Sequence, residues 1–187
     1  CGFRIKNNNE EIKKAFCIIL RSILLVISII PFAFLFADFI KIDISDLNVS
    51  KISGWNLISG VDSIFEGSPY KSLFVSVYGT FAKSPTLPSF FTILLPFLSL
   101  ISVFLFLCSG KYKKVYIIAG IFLLISGILC FLTKYTVCYI ESGTGTLCFL
   151  SSIKEEGISI SLGWGAIALG IIDICGFILS IVGFKLK

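Results

Sequence analysis

The sequence predicts an all-α membrane bundle, four transmembrane helices carrying a small strand-containing extracytoplasmic cap. Two compositional facts and one pattern point there. Of the 187 residues 56% are hydrophobic and only 14% charged, with a mean hydropathy of +0.99, whereas a soluble domain is about one-quarter charged. Four stretches, residues 15–37, 89–109, 115–133 and 162–184, are predominantly apolar. Each fits a hydrocarbon core of about 30 Å, which takes roughly 20 helical residues. Residues 1–14 remain as a stub, and 38–88 and 134–161 as two loops on the far side.

The first stretch is interrupted by Arg21 and Pro31, the second by Pro96, and the fourth by glycines and Asp173. Proline and glycine are tolerated in spanning helices because neighbouring helices or local adjustment satisfy the freed backbone groups. Orientation is read from lysine and arginine, which are retained on the cytoplasmic side. Nine basic residues, from Arg4 through the Lys111–Lys114 turn to Lys187, fall on the side of the chain ends. The other side carries Lys41, Lys51, Lys71, Lys83, Lys134 and Lys154 in longer loops, offset by eight acids from Asp38 to Glu156. Both termini are therefore expected in the cytoplasm of a multi-pass protein of the cell membrane. The net charge of +5 is absorbed by this topology, since no aromatic stacking platform accompanies the basic residues. The lipid bilayer is the implied partner and nucleic acid is not.

The first far-side loop is too long for a connector. Its start, IKIDISDLNVSKI, alternates apolar and polar residues from Ile42 to Ile52 with one slip, which predicts a half-buried strand with a bulge. Next, Trp55, Ile58, Val61 and Ile64 or Phe65 recur at helical spacing, so a short amphipathic helix near the headgroups is expected, with Trp55 as its interface anchor. The second loop reads as a hairpin, with arms 137–140 and 147–150 around a Gly-Thr-Gly turn. Cys138 and Cys148 sit at similar distances from that turn, and on an oxidising outer side a cross-strand disulfide is expected between them.

Two ionisable residues lie within the spans and form a candidate intramembrane polar pair, Arg21 and Asp173, offset in depth by roughly 8 Å. A charge buried in lipid is costly, so each is a functional candidate. Asp173 near the midplane reads either as a proton or cation carrier or as a packed, neutral residue; Arg21 reads as a snorkelling side chain. The last span also has the small-residue spacings Gly165, Ala166–Gly170 and Gly176–Ser180, which let helices approach closely. The chain contains no histidine, no nucleophile beside a base and no paired carboxylates in a cleft, so an enzyme is not expected. No cofactor is called for. Cys17, Cys108, Cys130 and Cys175 lie in apolar spans, where cysteine behaves as a small hydrophobe, and no metal site is built from them.

The layout of spans and loops resembles the claudin-like tetraspan arrangement, in topology alone: the claudin cysteines after the first-loop tryptophan are not here. A closer likeness is to small prokaryotic tetraspan proteins with SGWNLISG-like residues after the first span, here Ser53–Gly60. Those are often preceded by a cytoplasmic zinc ribbon, and Cys1-Gly2-Phe3-Arg4-Ile5-Lys6 resembles the second half of a ribbon knuckle. Cys1 is read as the remnant of such a ribbon, or otherwise as an acylated lipoprotein cysteine. The resemblance implies no activity. The expected role is a non-enzymatic accessory subunit or scaffold, assembling with other membrane-protein subunits or with itself. The alternative is a small transporter or channel subunit using Asp173.

Overall fold

The computed structural model describes residues 3–44, 47–59, 86–87, 90–110, 112–136, 138–140, 147–149 and 158–186. The elements in chain order are α1 (Phe3–Phe34), β1 (Asp38–Ile44), β2 (Leu47–Ser53), α2 (Gly54–Ser59), β3 (Thr86–Leu87), α3 (Phe90–Cys108), α4 (Lys114–Thr136), β4 (Cys138–Ile140), β5 (Leu147–Phe149), β6 (Ile158–Leu162) and α5 (Trp164–Leu186). Four of the helices are long and apolar enough to cross a membrane, over Glu10–Phe34, Phe91–Cys108, Lys114–Tyr135 and Trp164–Leu186. The chain is a multi-pass membrane protein.

Helices α3, α4 and α5 follow the sequence reading within a few residues. Helix α1 begins well before the apolar stretch, within the expected stub, and ends at Phe34 rather than residue 37. Its last turn tightens, with Phe36 and Ala37 donating to the carbonyls of Ala33 and Phe34, and the chain leaves directly into β1.

Each long helix packs on two others: α1 on α3 and α5, and α4 on α3 and α5. The buried face of α3 is Thr92, Leu95, Ser99, Ser102, Phe106 and Ser109, spaced alternately three and four apart as in a left-handed bundle seam. Between α4 and α5 small residues do the packing. A Cβ on Gly120 would stand 1.9 Å from Ser180 Oγ, one on Gly127 3.0 Å from the Gly170 carbonyl, and one on Gly170 2.7 Å from the Phe131 ring. Numbers rise along α4 as they fall along α5, so the pair is antiparallel. In lipid, where tails are as apolar as leucine, such close backbone approach replaces the hydrophobic effect as the source of association. The core cluster of Leu20, Leu24, Phe106, Tyr116, Ala119 and Leu123 fills the half of the bundle nearest the short α3–α4 turn. That end, which carries Lys13, Lys14, Lys113 and Lys114, is the basic end.

All six strands lie at the opposite, cap end, in two sheets ordered β2-β1-β6 and β3-β4-β5. The alternating run at its start is not one bulged strand. It is the two antiparallel strands β1 and β2, pairing Ile44 with Leu47 and Asp38 with Ser53; the slip in the alternation is the turn between them. Register shifts do occur, between Asp38 and Ile40 and between Ile42 and Asp43. The first leaves Phe39 as an extra residue, fully buried. The helix expected after β2 is present as far as Ser59; its continuation through Val61, Ile64 and Phe65, and Gly60 itself, lie outside the described residues, as do Cys1 and Gly2. The hairpin of the second loop is present as β4 and β5, but its register pairs Cys138 with Phe149 and Tyr139 with Cys148. By backbone register the two cysteines are thus offset by one residue rather than direct partners, and their side chains lie outside the described residues.

Candidate functional site

Asp173 sits in the middle third of α5, nine positions after Trp164. The buried positions of that helix, Gly165, Ala166, Leu169, Gly170, Asp173, Gly176, Ser180 and Gly183, form one stripe, so the carboxyl is turned into the bundle by the same face that supplies the close packing. It is fully buried, and neither carboxylate oxygen has a hydrogen-bond partner among the described residues. Gly127 makes room for it: a Cβ there would stand 3.4 Å from the Asp173 Cβ. Ser126 and Cys130, one turn apart on α4, are its polar neighbours on the facing helix. The Ser126 hydroxyl faces the carboxyl but falls short of hydrogen-bond geometry, and is itself buried without a partner. An ionised carboxylate here would have nothing to offset a desolvation cost of several kcal/mol. No cluster of three or more metal-ligating side chains occurs among the described residues.

Arg21 is not brought to Asp173. Its Nε donates to the Phe106 carbonyl at 2.8 Å and its Nη2 donates to the Leu107 carbonyl. Ser109 donates to the same Phe106 oxygen through both its backbone NH and its hydroxyl. Arg21 therefore caps the C-terminus of α3, where orphan carbonyls and the negative end of the helix dipole favour a cation. Leu20 packs by Gly183, ten residues along α5 from Asp173, so acid and guanidinium are separated by about 15 Å along the bundle. Counting along α1 alone sets Arg21 well within its span, whereas its partners put it level with the last turn of α3.

The small residues singled out in α5 find their neighbours within the chain. Gly165 lies against Ala37 and Asp38, Gly170 against Phe131, Gly176 against Leu123 and Ile27, and Ser180 against Gly120. Ala166 is fully buried.

Trp55 is half exposed at 50% and stacks on Phe36, ring centroids 6.0 Å apart. The sequence reading missed its counterpart. Trp164 is 54% exposed and meets Phe34 edge-on at 5.7 Å. The chain has two tryptophans and each follows a glycine; that repeated Gly-Trp pair was the available signal. Each pair joins a strand flanking β1 to a helix: Ser53 of β2 leads through Gly54 into α2, and Leu162 of β6 through Gly163 into α5. The Gly54 NH donates to the Ala37 carbonyl, the Trp55 NH to Leu35 at 2.6 Å, and the Gly163 NH to Phe39 at 2.7 Å. A Cβ on Gly54 would meet the Phe39 ring at 2.9 Å, and one on Gly163 the Asp38 carbonyl oxygen at 2.1 Å. Two Gly-Trp clasps thus grip the α1–β1 junction from both sides, with both indoles about half exposed. Compared with known proteins, the chain matches no family model, no curated protein and no solved structure.

Proposed function

We propose that the protein is a non-catalytic membrane subunit or scaffold of the cell membrane, with both chain ends in the cytoplasm and the strand-rich cap outside, and that it works by association with other membrane proteins or with itself. The observation that carries this reading is the double clasp: the central strand β1 runs out of α1, and its neighbours are tied back by the Gly54, Trp55 and Gly163 amides. A cap fixed to the helices in this way transmits position rather than chemistry. The apolar plug of Leu24, Phe106 and Leu123, each fully buried, speaks against a passage through a single copy. The charge distribution supports the orientation. The test is cross-linking of the intact protein in native membranes through the cap lysines Lys41 and Lys51, with mass spectrometric identification. A reproducible cross-link to a second copy or to another membrane protein is expected; a lone monomer there and in mild detergent overturns the reading.

A second reading rests on Asp173 alone. Its buried, unpartnered carboxyl suits a proton-linked transporter or channel subunit. Asp173→Asn separates the two: loss of proton-dependent flux with assembly intact supports transport, and unchanged flux with altered assembly supports the scaffold.

A further inference from the structure

We infer that the basic end of the bundle carries a binding site for the phosphate headgroup of an anionic lipid. A crevice of about 450 Å³ opens there, lined along α1 by Lys13, Lys14, Ile18 and Arg21 and across from them by Tyr116 and Leu186. Its size falls in the range of small-ligand sites, roughly 300–1,000 Å³. None of its described lining residues is acidic. Glu10 and Glu11 lie a turn away on the same helix, yet the salt bridge found among the described residues is Lys51–Asp38 at the cap end. Among the described residues neither Lys13 nor Lys14 is drawn into an ion pair with them.

Arg21 is held for the task. Its hydrogen bonds to the Phe106 and Leu107 carbonyls fix the guanidinium plane, and its Nη1 stands beside Gly110, where a Cβ would come within 3.0 Å. Gly110 also lines the crevice, so a side chain there would push the guanidinium away. The depth is that of a headgroup. Arg21 lies at the last turn of α3, and Lys13 stands eight residues, or about 12 Å, farther out along α1. The cations run from the hydrocarbon edge outward while the opposite wall stays apolar. That division suits a lipid, whose phosphate meets the cations and whose chain lies along Ile18 and Leu186. A soluble anion would leave the apolar wall unused. Basic pockets between spanning helices recognise anionic headgroups by this combination.

The test uses the intact protein in nanodiscs of phosphatidylcholine with or without phosphatidylglycerol, followed by partial delipidation and native mass spectrometry. The wild type is expected to retain phosphatidylglycerol in preference to phosphatidylcholine. The Lys13→Gln/Lys14→Gln double variant should retain it about thirty-fold less. Lys134→Gln, at the cap end, should behave as wild type, and thermal stability in pure phosphatidylcholine should be the same for all three. Equal retention by the double variant overturns the site. Displacement of the lipid by inorganic phosphate at concentrations matching the lipid's own overturns the lipid assignment in favour of a soluble anion.

Discussion

At the basic end, one side chain performs the closure: Arg21 donates to the Phe106 and Leu107 carbonyls and ties α1 to the end of α3. At the cap end, backbone closes on backbone, with the Gly54, Trp55 and Gly163 amides bonded to Ala37, Leu35 and Phe39 and no room for a Cβ at either glycine. The first closure is a charge-assisted contact that lengthens or shortens with a flexible side chain. The second is geometric and tolerates no such adjustment. Substitutions should therefore be far more damaging at the cap end.

The largest effect is expected from Gly163→Val. Its Cβ falls 2.1 Å from a carbonyl oxygen, which cannot rotate away, so a loss of more than about 3 kcal/mol is expected, read as collapse of the thermal transition in detergent. Gly120→Ala sharpens the contrast. Its Cβ falls even closer, 1.9 Å from Ser180 Oγ, which can change rotamer, and 2.9 Å from the Ser180 Cβ, which needs a shift of only a few tenths of an ångström, so a loss of about 1–3 kcal/mol is expected from the same melt. If the two cost alike, the distinction between backbone and side-chain closure fails.

Arg21→Gln comes next. It removes the charged cap from α3 at an expected cost of about 1–3 kcal/mol, and Arg21→Lys should recover part of it because a lysine can still donate to the carbonyls. Full recovery by lysine would mean that charge alone, and not the two-pronged geometry, holds the end. Asp173→Val should have the smallest effect on stability and an unusual sign: replacing a buried carboxyl with no partner should be neutral or raise the midpoint slightly. A loss of several kcal/mol would reveal a partner for Asp173.

Much of the layout was legible in the sequence, for physical reasons that differ by element. A spanning helix must satisfy every backbone group internally, so length and hydropathy suffice to find it, and three of the four helices were placed within a few residues. Asp173 was legible as a buried acid because nothing else in its span is charged. The role of Arg21 was not, because its depth is set by where α3 ends on a different part of the chain. The β1–β2 turn looked like a bulge because a two-residue gap between Ile44 and Leu47 disturbs alternation as little as a bulge would. Strand β6, the alternating ISISL, was not singled out: Ile158 to Ser161 fell in the second far-side loop and only Leu162 in the last apolar stretch. The cysteine hairpin was found, but its register depends on turn geometry that counting from the turn does not fix.

Amide hydrogen exchange of the protein in nanodiscs, resolved at the segments 53–56 and 162–165, tests most directly whether cap and bundle are one unit. The Gly54, Trp55 and Gly163 amides should exchange with the slow rates of the α4 and α5 interiors, and should be released together in Gly163→Val. Exchange at these positions as fast as in a solvated loop, with α4 and α5 still protected, would contradict the clasp and leave the cap as a loosely attached appendage.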